Sequence, residues 1–461
     1  MATMSSVPTL PPQPIKSVIV VGAGLAGLRT VDALRTQGFR GHITVVSNES
    51  LPPYDRPPLS KKLFEATAPT FLSDDMQCDL DQLADVVEYD AQALTLDIAG
   101  AQPKLVISQA NKQQHTQRTL TADALVIAVG APPQHPSSWT NVHSLYTWND
   151  AQRLRTDLPS GSRLTIIGAG WIGCEVASVA AANGYTVTVI EAGETPLAQQ
   201  LGPKIGARIA PWFNAPGLEL RCGERVTGVQ TTAAGLLTTE VIPVSGDTAS
   251  LPATALHADV VLAAVGVSPA TQWLDNVLTR SKNGAIYTNA LGLASTRANS
   301  KCLVFAVGDC ALRSDAIHGQ IPGGHWNTAL TDPEVVAATL CAIDNAATAS
   351  VDVQPPHIPT PTPHVFSTQF GHDLNLFGTP DVMNDEVIVR SYSQDSWTAL
   401  YVSSYSDVTC EDPSIHVTGI FTVNAPRDAA TARRFLSQGP VTLQHTKASD
   451  PHTPLKNTRV S

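Results

Sequence analysis

The 461-residue sequence is poor in aromatic and in charged residues. Charged residues make up 15% of it, well below the roughly 25% of an average soluble protein. The formal net charge is −11, and no local cluster of Lys and Arg opposes it, which argues against a nucleic-acid-binding surface. No apolar run approaches the roughly 18 residues that a membrane-spanning helix requires, so we expect no membrane segment.

The sequence also lacks any pairing of its cysteines at short spacing. Its seven cysteines are scattered and form no CxxC motif and no metal-ligand pattern: they are Cys78, Cys174, Cys222, Cys302, Cys310, Cys341 and Cys410. This pattern favours free thiols in a reducing compartment, and we expect a cytoplasmic protein without a metal site. Residues 1–14 are rich in proline and have neither the basic start nor the apolar core of a signal peptide, so they are predicted to form a disordered lead.

A glycine-rich turn lies between the first predicted strand and the first predicted helix. The apolar run 17–21 leads directly into G-x-G-x-x-G spacing over 22–27, followed by a helical pattern. In this motif the first two glycines permit a sharp turn and close approach to a pyrophosphate, and the third permits close packing of helix and strand. The start of the helix offers free N–H groups to the phosphates. The candidate binding residues here are Gly22, Gly24, Leu25, Ala26 and Gly27.

A second strand pattern, 42–46, ends beside Asn48 and Glu49. A carboxylate at this position can hold the ribose of an adenosine. A glycine turn alone often has no ligand, but strand, turn, helix, second strand and acid here follow in the correct order. The segment therefore predicts a dinucleotide-binding fold.

The same pattern occurs a second time, over residues 163–191. Its candidate binding residues are Gly168, Gly170, Trp171, Ile172, Gly173, Glu175 and Glu191. Glu191 ends the second strand, where a carboxylate accepts from a ribose 2′-hydroxyl and repels a 2′-phosphate, so NADH is favoured over NADPH. The alternative for Glu191 is a surface acid at the end of a strand. One chain thus contains two predicted dinucleotide folds.

A stiff, proline-rich loop at 51–62 follows the first fold and presents Arg56 and Lys61. By itself it could be a connector with solvated charges. Its amino-acid sequence over 53–61, however, resembles the flavin-contacting segment of the FAD-dependent ferredoxin reductases. That class includes the putidaredoxin, rubredoxin and biphenyl-dioxygenase ferredoxin reductases and is akin to apoptosis-inducing factor. The resemblance implies that Arg56 and Lys61 contact FAD, with Lys61 near the reactive edge of the flavin.

Further segments match the same family. Two buried strand patterns end in glycine at 123–130 and 259–266, a Gly-Asp turn follows the strand 302–307, and a Trp motif stands at 323–329. The resemblance places Asp309 on the ribityl chain and Trp326 beside the flavin ring. The candidate cofactor contacts in these segments are Ala128, Gly130, Gly266, Gly308, Asp309, His325 and Trp326.

The sequence departs from the family pattern at Val129, Pro132, Gln134, Gln199, Gly324, Val365, Phe366 and Thr368. It also has Asp332 and Pro333 where the family usually has a small residue or Gln. Because Pro is preferred in the first turn of a helix and Asp is a good cap, the last helix of the FAD domain is predicted to begin here.

The resemblance covers about residues 15–437 and implies an α/β protein of glutathione-reductase-like architecture. It would have two Rossmann-like domains, for FAD and NAD, with the NAD domain inserted into the FAD domain, and a C-terminal α+β domain. The expected boundaries are 15–141 and 268–345 for the FAD domain, 142–267 for the NAD(H) domain, 355–440 for the C-terminal domain and 441–461 for a polar tail.

The resemblance implies an oxidoreductase that passes hydride from NADH to FAD and then single electrons to a small iron–sulfur protein, ferredoxin or rubredoxin. Such a protein would serve an oxygenase or a cytochrome P450 system and would be a monomer or a homodimer. Lys61, Glu175 and Trp326 are the expected catalytic residues. Lys61 and Glu175 come from different folds, so they are expected to meet only if the NAD domain closes over the flavin.

Two other functions remain open at this point. One is an NADH-dependent reductase of small organic radicals or quinones, of the monodehydroascorbate reductase type, which has a similar loop. The other is a redox-sensing binding protein like apoptosis-inducing factor. A disulfide reductase is disfavoured, because no cysteine lies in the flavin-facing loop 54–61 and the first cysteine is Cys78.

Overall fold

The computed structural model describes residues 10–111, 114–232, 235–244, 253–298, 300–324, 326–356, 358–406 and 413–460. Most of the predicted disordered lead, residues 1–9, lies outside this part of the chain. The chain divides into two compact units. The first comprises Met1–Asp55, Thr70–Pro132 and Ser268–Pro363, and the second comprises Arg56–Pro69, Pro133–Val267 and His364–Ser461.

The first unit is built on a five-stranded parallel sheet. Its strands are Leu303–Ala306, Ala124–Ile127, Ser17–Val21, His42–Val46 and Val86–Glu88, in that order across the sheet. In each of the first two strands, all four residues are buried. Continuous burial is expected of parallel strands covered on both faces, which explains their uninterrupted apolar sequences.

Two small sheets and four helices complete the described part of the first unit. One sheet contains Ala91–Asp97, Lys104–Asn111 and Gln114–Thr121, and the other contains Ile286–Thr288, Ala311–Asp315 and Gly319–Pro322. The helices are Leu25–Thr36, Leu72–Met76, Leu80–Leu83 and Trp326–Ala349, with short 3-10 turns at Gln272–Leu274 and Gly308–Cys310.

The last of these helices corrects one sequence expectation. It begins at Trp326 and continues through Pro333, so the prediction of a helix start at Asp332 and Pro333 is wrong. An internal proline costs a helix about 3 kcal/mol. The helix packs along Leu25–Thr36 and buries Val336, Leu340 and Ile343 completely, and this burial outweighs the cost.

The second unit contains a four-stranded parallel sheet, in the order Leu218–Cys222, Thr186–Glu191, Arg163–Ile167 and Val260–Ala263. A three-stranded antiparallel sheet in the same unit consists of Glu224–Thr231, Leu237–Pro243 and Thr254–Ala258. The associated helices are Trp148–Asp157, Trp171–Ala182, Ala198–Leu201 and Pro203–Ile209, followed by a 3-10 turn at Ala210–Phe213. The loop 56–69 also belongs to this unit and contributes the short helix Pro58–Lys61.

The C-terminal part of the second unit is a six-stranded antiparallel sheet. Its strands are His364–Gln369, His372–Gly378, Glu386–Ser391, Trp397–Ser406, Ser414–Val423 and Val441–Gln444. The helix Pro426–Phe435 packs on this sheet.

The segment 441–460 is folded, although its composition suggests a polar tail. It contains the last strand of the sheet, the helix His445–Ser449 and a 3-10 turn at Leu455–Asn457. Leu443, Ala448 and Leu455 are buried in the hydrophobic core. These few apolar side chains are spaced too irregularly for a periodic sequence signal, and only the tertiary fold brings them onto one core.

The finer division into FAD-binding, NAD(H)-binding and C-terminal domains stays a prediction. In the part of the chain that the structure describes, no helix has the length and apolar character needed to cross a membrane.

Candidate functional site

The first glycine turn has the shape that the sequence predicts. Gly22 has a φ of +111°, and a Cβ there would lie 2.2 Å from the carbonyl oxygen of Ala128. A Cβ on Gly27 would lie 1.9 Å from the carbonyl oxygen of Gly22. Any side chain would therefore force the turn apart. Gly24 is the N-cap of the helix Leu25–Thr36 and, being glycine, makes no side-chain hydrogen bond to the first turn.

This turn fits the phosphates of a dinucleotide. A Cβ on Gly24 would meet no atom within 4 Å, and the first turn of the helix contains no acidic residue. The N–H groups of a helix start attract anions when nothing else satisfies them. Leu25 and Ala26 form this first turn.

Glu49 was predicted to hold the ribose and Asp309 the ribityl chain, and each accepts a hydrogen bond from a residue of the first unit. The hydroxyl of Tyr54 donates to Oε2 of Glu49, at 2.5 Å. The backbone N–H of Gly324 donates to Oδ1 of Asp309, at 3.0 Å. Asn48 is exposed.

Trp326 presents its ring to the surface of the first unit. It is 39% exposed, and its indole N–H donates to Oδ1 of Asp55, at 3.2 Å. Gly130 and Gly308 have φ of +67°, a conformation that glycine adopts without strain. His325, the other candidate from the Trp motif, lies outside the residues that the structure describes.

The second glycine turn repeats this construction in the second unit. Gly168 has a φ of +102°, and its Cβ would lie 2.4 Å from the carbonyl oxygen of Ala264. A Cβ on Gly173 would lie 2.0 Å from the carbonyl oxygen of Gly168. Gly170 caps the helix Trp171–Ala182 without a side-chain partner. Ile172 is 40% exposed at the start of that helix.

Glu191 lies directly against this second turn. Its Oε2 accepts from the backbone N–H of Ala169 and its Oε1 from the backbone N–H of Gly193, both at 2.7 Å. Each carboxylate oxygen has a further lone pair that could accept from a hydroxyl group. Gly266 has a φ of +120°, and a Cβ there would meet no atom within 4 Å. The turn, its helix start and Glu191 together fit a pyridine nucleotide.

Lys61 and Glu175 form an ion pair in the second unit. Nζ of Lys61 lies 2.6 Å from Oε1 of Glu175, whose side chain is 3% exposed. The sequence places these residues in different folds that would have to close on each other. The structure places both in one unit because the loop 56–69 belongs to that unit.

Two hydroxyl groups complete the environment of the Glu175 carboxylate. Oγ of Ser60 donates to Oε2, and Oγ of Ser367 donates to Oε1, both at 2.5 Å. Neither serine was predicted as a site residue from the sequence. Ser60 is separated from Glu175 by 115 residues and Ser367 by 192, so no local motif connects them with the acid. The ring centroid of Phe366 lies 5.8 Å from Nζ of Lys61, within the range of a cation–π contact.

Arg56 has its partner inside the same unit. Its guanidinium lies 4.0 Å from the ring centroid of Tyr146 and donates to the backbone carbonyl of that residue.

The comparisons with known proteins agree with this geometry. The model of the family described as pyridine nucleotide-disulphide oxidoreductase matches residues 16–332. The chain belongs to this family. This confirms the predicted family resemblance, the α/β architecture and the class of FAD- and pyridine-nucleotide-dependent oxidoreductases.

The oxidoreductase resembles several curated proteins over nearly its full length. It is 29% identical to the ferredoxin–NAD(+) reductase component of the p-cumate 2,3-dioxygenase system of Pseudomonas putida, covering 97% of this chain and 99% of that protein. It is 28% identical to terpredoxin reductase of Pseudomonas sp, covering 96% and 97%. The crystal structure of Fdr9 superposes with a TM-score of 0.77 and 28% identity, covering 96% of this chain and 99% of that one.

The family name refers to disulphide chemistry, but the cysteines in the described part of this oxidoreductase are not paired for it. All six cysteines in the described part of the chain are free. Burial raises the pKa of the Cys310 thiol to about 12 and the pKa of the Cys174 thiol well above its usual value. Since the thiolate is the reactive form, these two thiols are expected to be unreactive at neutral pH. No group of three or more His, Cys, Asp and Glu among the described residues could hold a metal ion.

A buried ion pair lies behind the Gly308–Asp309 turn in the first unit. Nε of Arg313 lies 3.0 Å from Oδ1 of Asp332, and both side chains are almost fully buried. The backbone of Gly308 also donates to the Asp332 carboxylate. Burial, partly offset by Arg313, raises the pKa of Asp332 to about 6. The sequence analysis identified Asp332 as a departure from the family pattern and as a helix cap, but not as a buried acid.

Proposed function

We propose that this protein is an FAD-dependent NADH oxidoreductase whose electron acceptor is a small iron–sulfur protein, a ferredoxin or a rubredoxin. The observation that carries the proposal is the Lys61–Glu175 pair, which lies in the same unit as the second dinucleotide turn. The names of the relatives that match over nearly the whole chain support the acceptor class. A cytoplasmic location and a role beside an oxygenase or a cytochrome P450 belong to the same proposal.

The residues assigned to FAD follow the first fold and the family segments. They are Gly22, Gly24, Leu25, Ala26, Gly27, Asn48, Glu49, Arg56, Lys61, Ala128, Gly130, Gly308, Asp309, His325 and Trp326. The residues assigned to NADH are Gly168, Gly170, Trp171, Ile172, Gly173, Glu175, Glu191 and Gly266. When bound, FAD takes up two electrons from NADH and releases them singly to the iron–sulfur protein.

Lys61 supplies the positive charge in this arrangement. A cation held in advance stabilises negative charge that develops beside it, and it is most effective where water is excluded. Glu175 fixes the ammonium group by direct contact at 2.6 Å. The buried carboxylate in turn requires its cation and its hydroxyl donors, because an unpaired buried charge is costly.

Glu191 and Trp326 have positioning tasks. The Glu191 carboxylate is fixed by two backbone N–H groups at the glycine turn, where it can accept from a ribose 2′-hydroxyl. Trp326 is oriented by the hydrogen bond from its indole N–H to Asp55.

The acceptor is tested by a comparison of electron acceptors. The purified yellow protein is supplied with NADH and, in separate reactions, with ferredoxin-coupled cytochrome c, a quinone and a disulfide. We expect rapid cytochrome c reduction that requires ferredoxin. Reduction of the quinone or the disulfide alone, without any ferredoxin-dependent rate, would overturn the proposal.

A further inference from the structure

The buried carboxylate of Glu175 is held by three donors from two distant segments of the second unit. Ser60 and Lys61 come from the helix Pro58–Lys61, and Ser367 comes from the first strand of the C-terminal sheet. Ser60 and Ser367 are each 2% exposed. Neither hydroxyl is open to water, so both depend on protein partners. The Ser60 hydroxyl lies 2.5 Å from the carboxylate and 3.3 Å from a second acceptor, the backbone carbonyl of Pro57.

The two serine hydroxyls fix the rotation of the Glu175 carboxylate, which Lys61 alone would not fix. A lysine ammonium is a compact charge on a flexible stem, so it sets a distance to a carboxylate but not its rotation. Ser367 donates to Oε1, which also accepts from Lys61, and Ser60 donates to Oε2. Because each oxygen has a donor, the plane of the Glu175 carboxylate is fixed. The position of the Lys61 Nζ, which is hydrogen-bonded to that carboxylate, is fixed as a consequence.

The Ser367 hydroxyl also accepts a hydrogen bond from a neighbouring residue of its own strand. Nε2 of Gln369, a residue 1% exposed, donates to Oγ of Ser367 at 3.0 Å. Because residues two apart on a strand share a face, Gln369 and Ser367 both lie on the side toward Glu175. Since the serine hydroxyl accepts from Gln369, its single proton is directed to the carboxylate.

A second contact docks the same strand end on the helix that carries Glu175. The backbone N–H of Phe370 donates to Oγ of Ser178, at 2.7 Å. Glu175 and Ser178 are three residues apart on the helix Trp171–Ala182 and so lie on neighbouring positions of one face. The C-terminal strand is thus joined to this helix at two points.

We propose that Ser367, supported by Gln369, is a positioning residue for the Lys61–Glu175 pair, and that the C-terminal sheet thereby controls where the Lys61 cation stands. Ser60 holds the other carboxylate oxygen in the same way. The kinetic part of this inference rests on the proposed function, because it takes flavin reduction by NADH as its readout. The position of Lys61 can be measured without NADH.

The kinetic test compares Ser367→Ala with the wild type by stopped-flow bleaching of the flavin at saturating NADH. Hydrogen bonds to charged groups are among the stronger ones, so we expect the rate to fall at least about fivefold. The apparent dissociation constant for NADH should stay within about twofold, because the change acts after binding. Ser396→Ala is the matched control: its hydroxyl donates to the backbone carbonyl of Asn424 in the loops that flank the same sheet, and the flavin-reduction rate of this variant should not change.

A positioning role is separated from a structural one by repeating the substitution in a Glu175→Gln background. If Ser367 acts through Glu175, its loss there should change the rate by less than about twofold. An equal loss in both backgrounds would show that Ser367 only supports the fold, and it would overturn the inference.

The second readout is chemical labelling of Lys61 in the resting holoprotein, without NADH. Brief acylation with an amine reagent is followed by peptide mass spectrometry. Ser367→Ala should raise labelling of Lys61 by about threefold or more, because the amine is then less firmly held, while labelling of the exposed Lys62 should not change. Unchanged Lys61 labelling would overturn the inference. A raised Lys61 signal in a protein that reduces no ferredoxin would instead support the positioning role and refute the proposed acceptor.

Discussion

Lys61 and Glu175, 114 residues apart in the chain, lie 2.6 Å apart at Nζ and Oε1 within one compact unit. The pair joins a loop that the family resemblance assigns to FAD with a helix whose glycine turn is assigned to NADH. The ion pair explains why the proline-rich loop packs with the second fold: the loop supplies the cation that the buried Glu175 carboxylate requires.

Loss of either partner should slow flavin reduction. Breaking a buried pair can cost about 3–5 kcal/mol, because the remaining charge is left without a partner. We expect Lys61→Met and Glu175→Gln each to reduce the rate of NADH-driven flavin bleaching more than about tenfold. The double variant should be less impaired than the sum of the two losses, since the second change removes a charge that is already unpaired.

The exposed neighbour Lys62 provides the control for this experiment. Lys62→Met removes an adjacent positive charge without touching the pair and should leave the rate within about twofold of wild type. Wild-type rates in both single variants, or strictly additive losses, would show that the residues do not act together.

NADH should be preferred over NADPH at least about tenfold in kcat/KM, because a 2′-phosphate would lie against the Glu191 carboxylate. Glu191→Gln should narrow this preference, since it removes the negative charge. Glu194→Gln changes an exposed acid three residues away and should have no effect. Equal kcat/KM values for both nucleotides in the wild type would show that Glu191 does not set the specificity.

Replacing all seven cysteines by Ala or Ser should leave NADH-driven flavin reduction intact. Burial raises the pKa of the Cys78 thiol to about 12 and that of Cys222 to about 11, so few thiolates are available at neutral pH. The visible flavin spectrum and a melting curve would verify that the variant is folded. A folded, yellow variant that NADH no longer reduces would indicate disulfide-type chemistry after all.

The predictable parts of this molecule are those encoded by local sequence. Gly22, Gly27, Gly168 and Gly173 stand where any Cβ would collide with backbone, so a short motif was sufficient to predict both turns. The buried parallel strands were equally visible as short apolar runs bounded by glycine.

The contacts that complete the site could not be predicted in this way. Ser367 reaches Glu175 across 192 residues, and no spacing rule connects a serine on a strand with an acid on a distant helix. The helix through Pro333 was missed because packing against another helix overrode a local signal. The folded segment 441–460 was missed because its few core residues follow no period.

The buried Asp332 should make stability depend on pH. Its pKa is raised from 3.8 to about 6 in the folded protein, chiefly by burial. The folded state therefore binds this proton more tightly than the unfolded state does, and the contribution of Asp332 to stability falls as the pH rises from about 4 to about 6. Asp332→Asn removes this titration. The difference in apparent melting temperature, variant minus wild type, should consequently increase over that range.

Asp352→Asn, a change of an exposed acid at the surface of the same unit, is the control for this measurement. A difference between Asp332→Asn and wild type that is constant from about pH 4 to about pH 7 would show that Asp332 does not titrate between the folded and unfolded states.

The central proposal, electron transfer from NADH through FAD to an iron–sulfur protein, is tested most directly by an anaerobic titration. The holoprotein is mixed with excess oxidised ferredoxin, NADH is added in measured amounts, and reduced ferredoxin is counted by its electron paramagnetic resonance signal. We expect about two molecules of ferredoxin reduced for each NADH consumed, because a two-electron donor then supplies a one-electron acceptor. Ferredoxin that stays oxidised while NADH still bleaches the flavin would contradict the proposal.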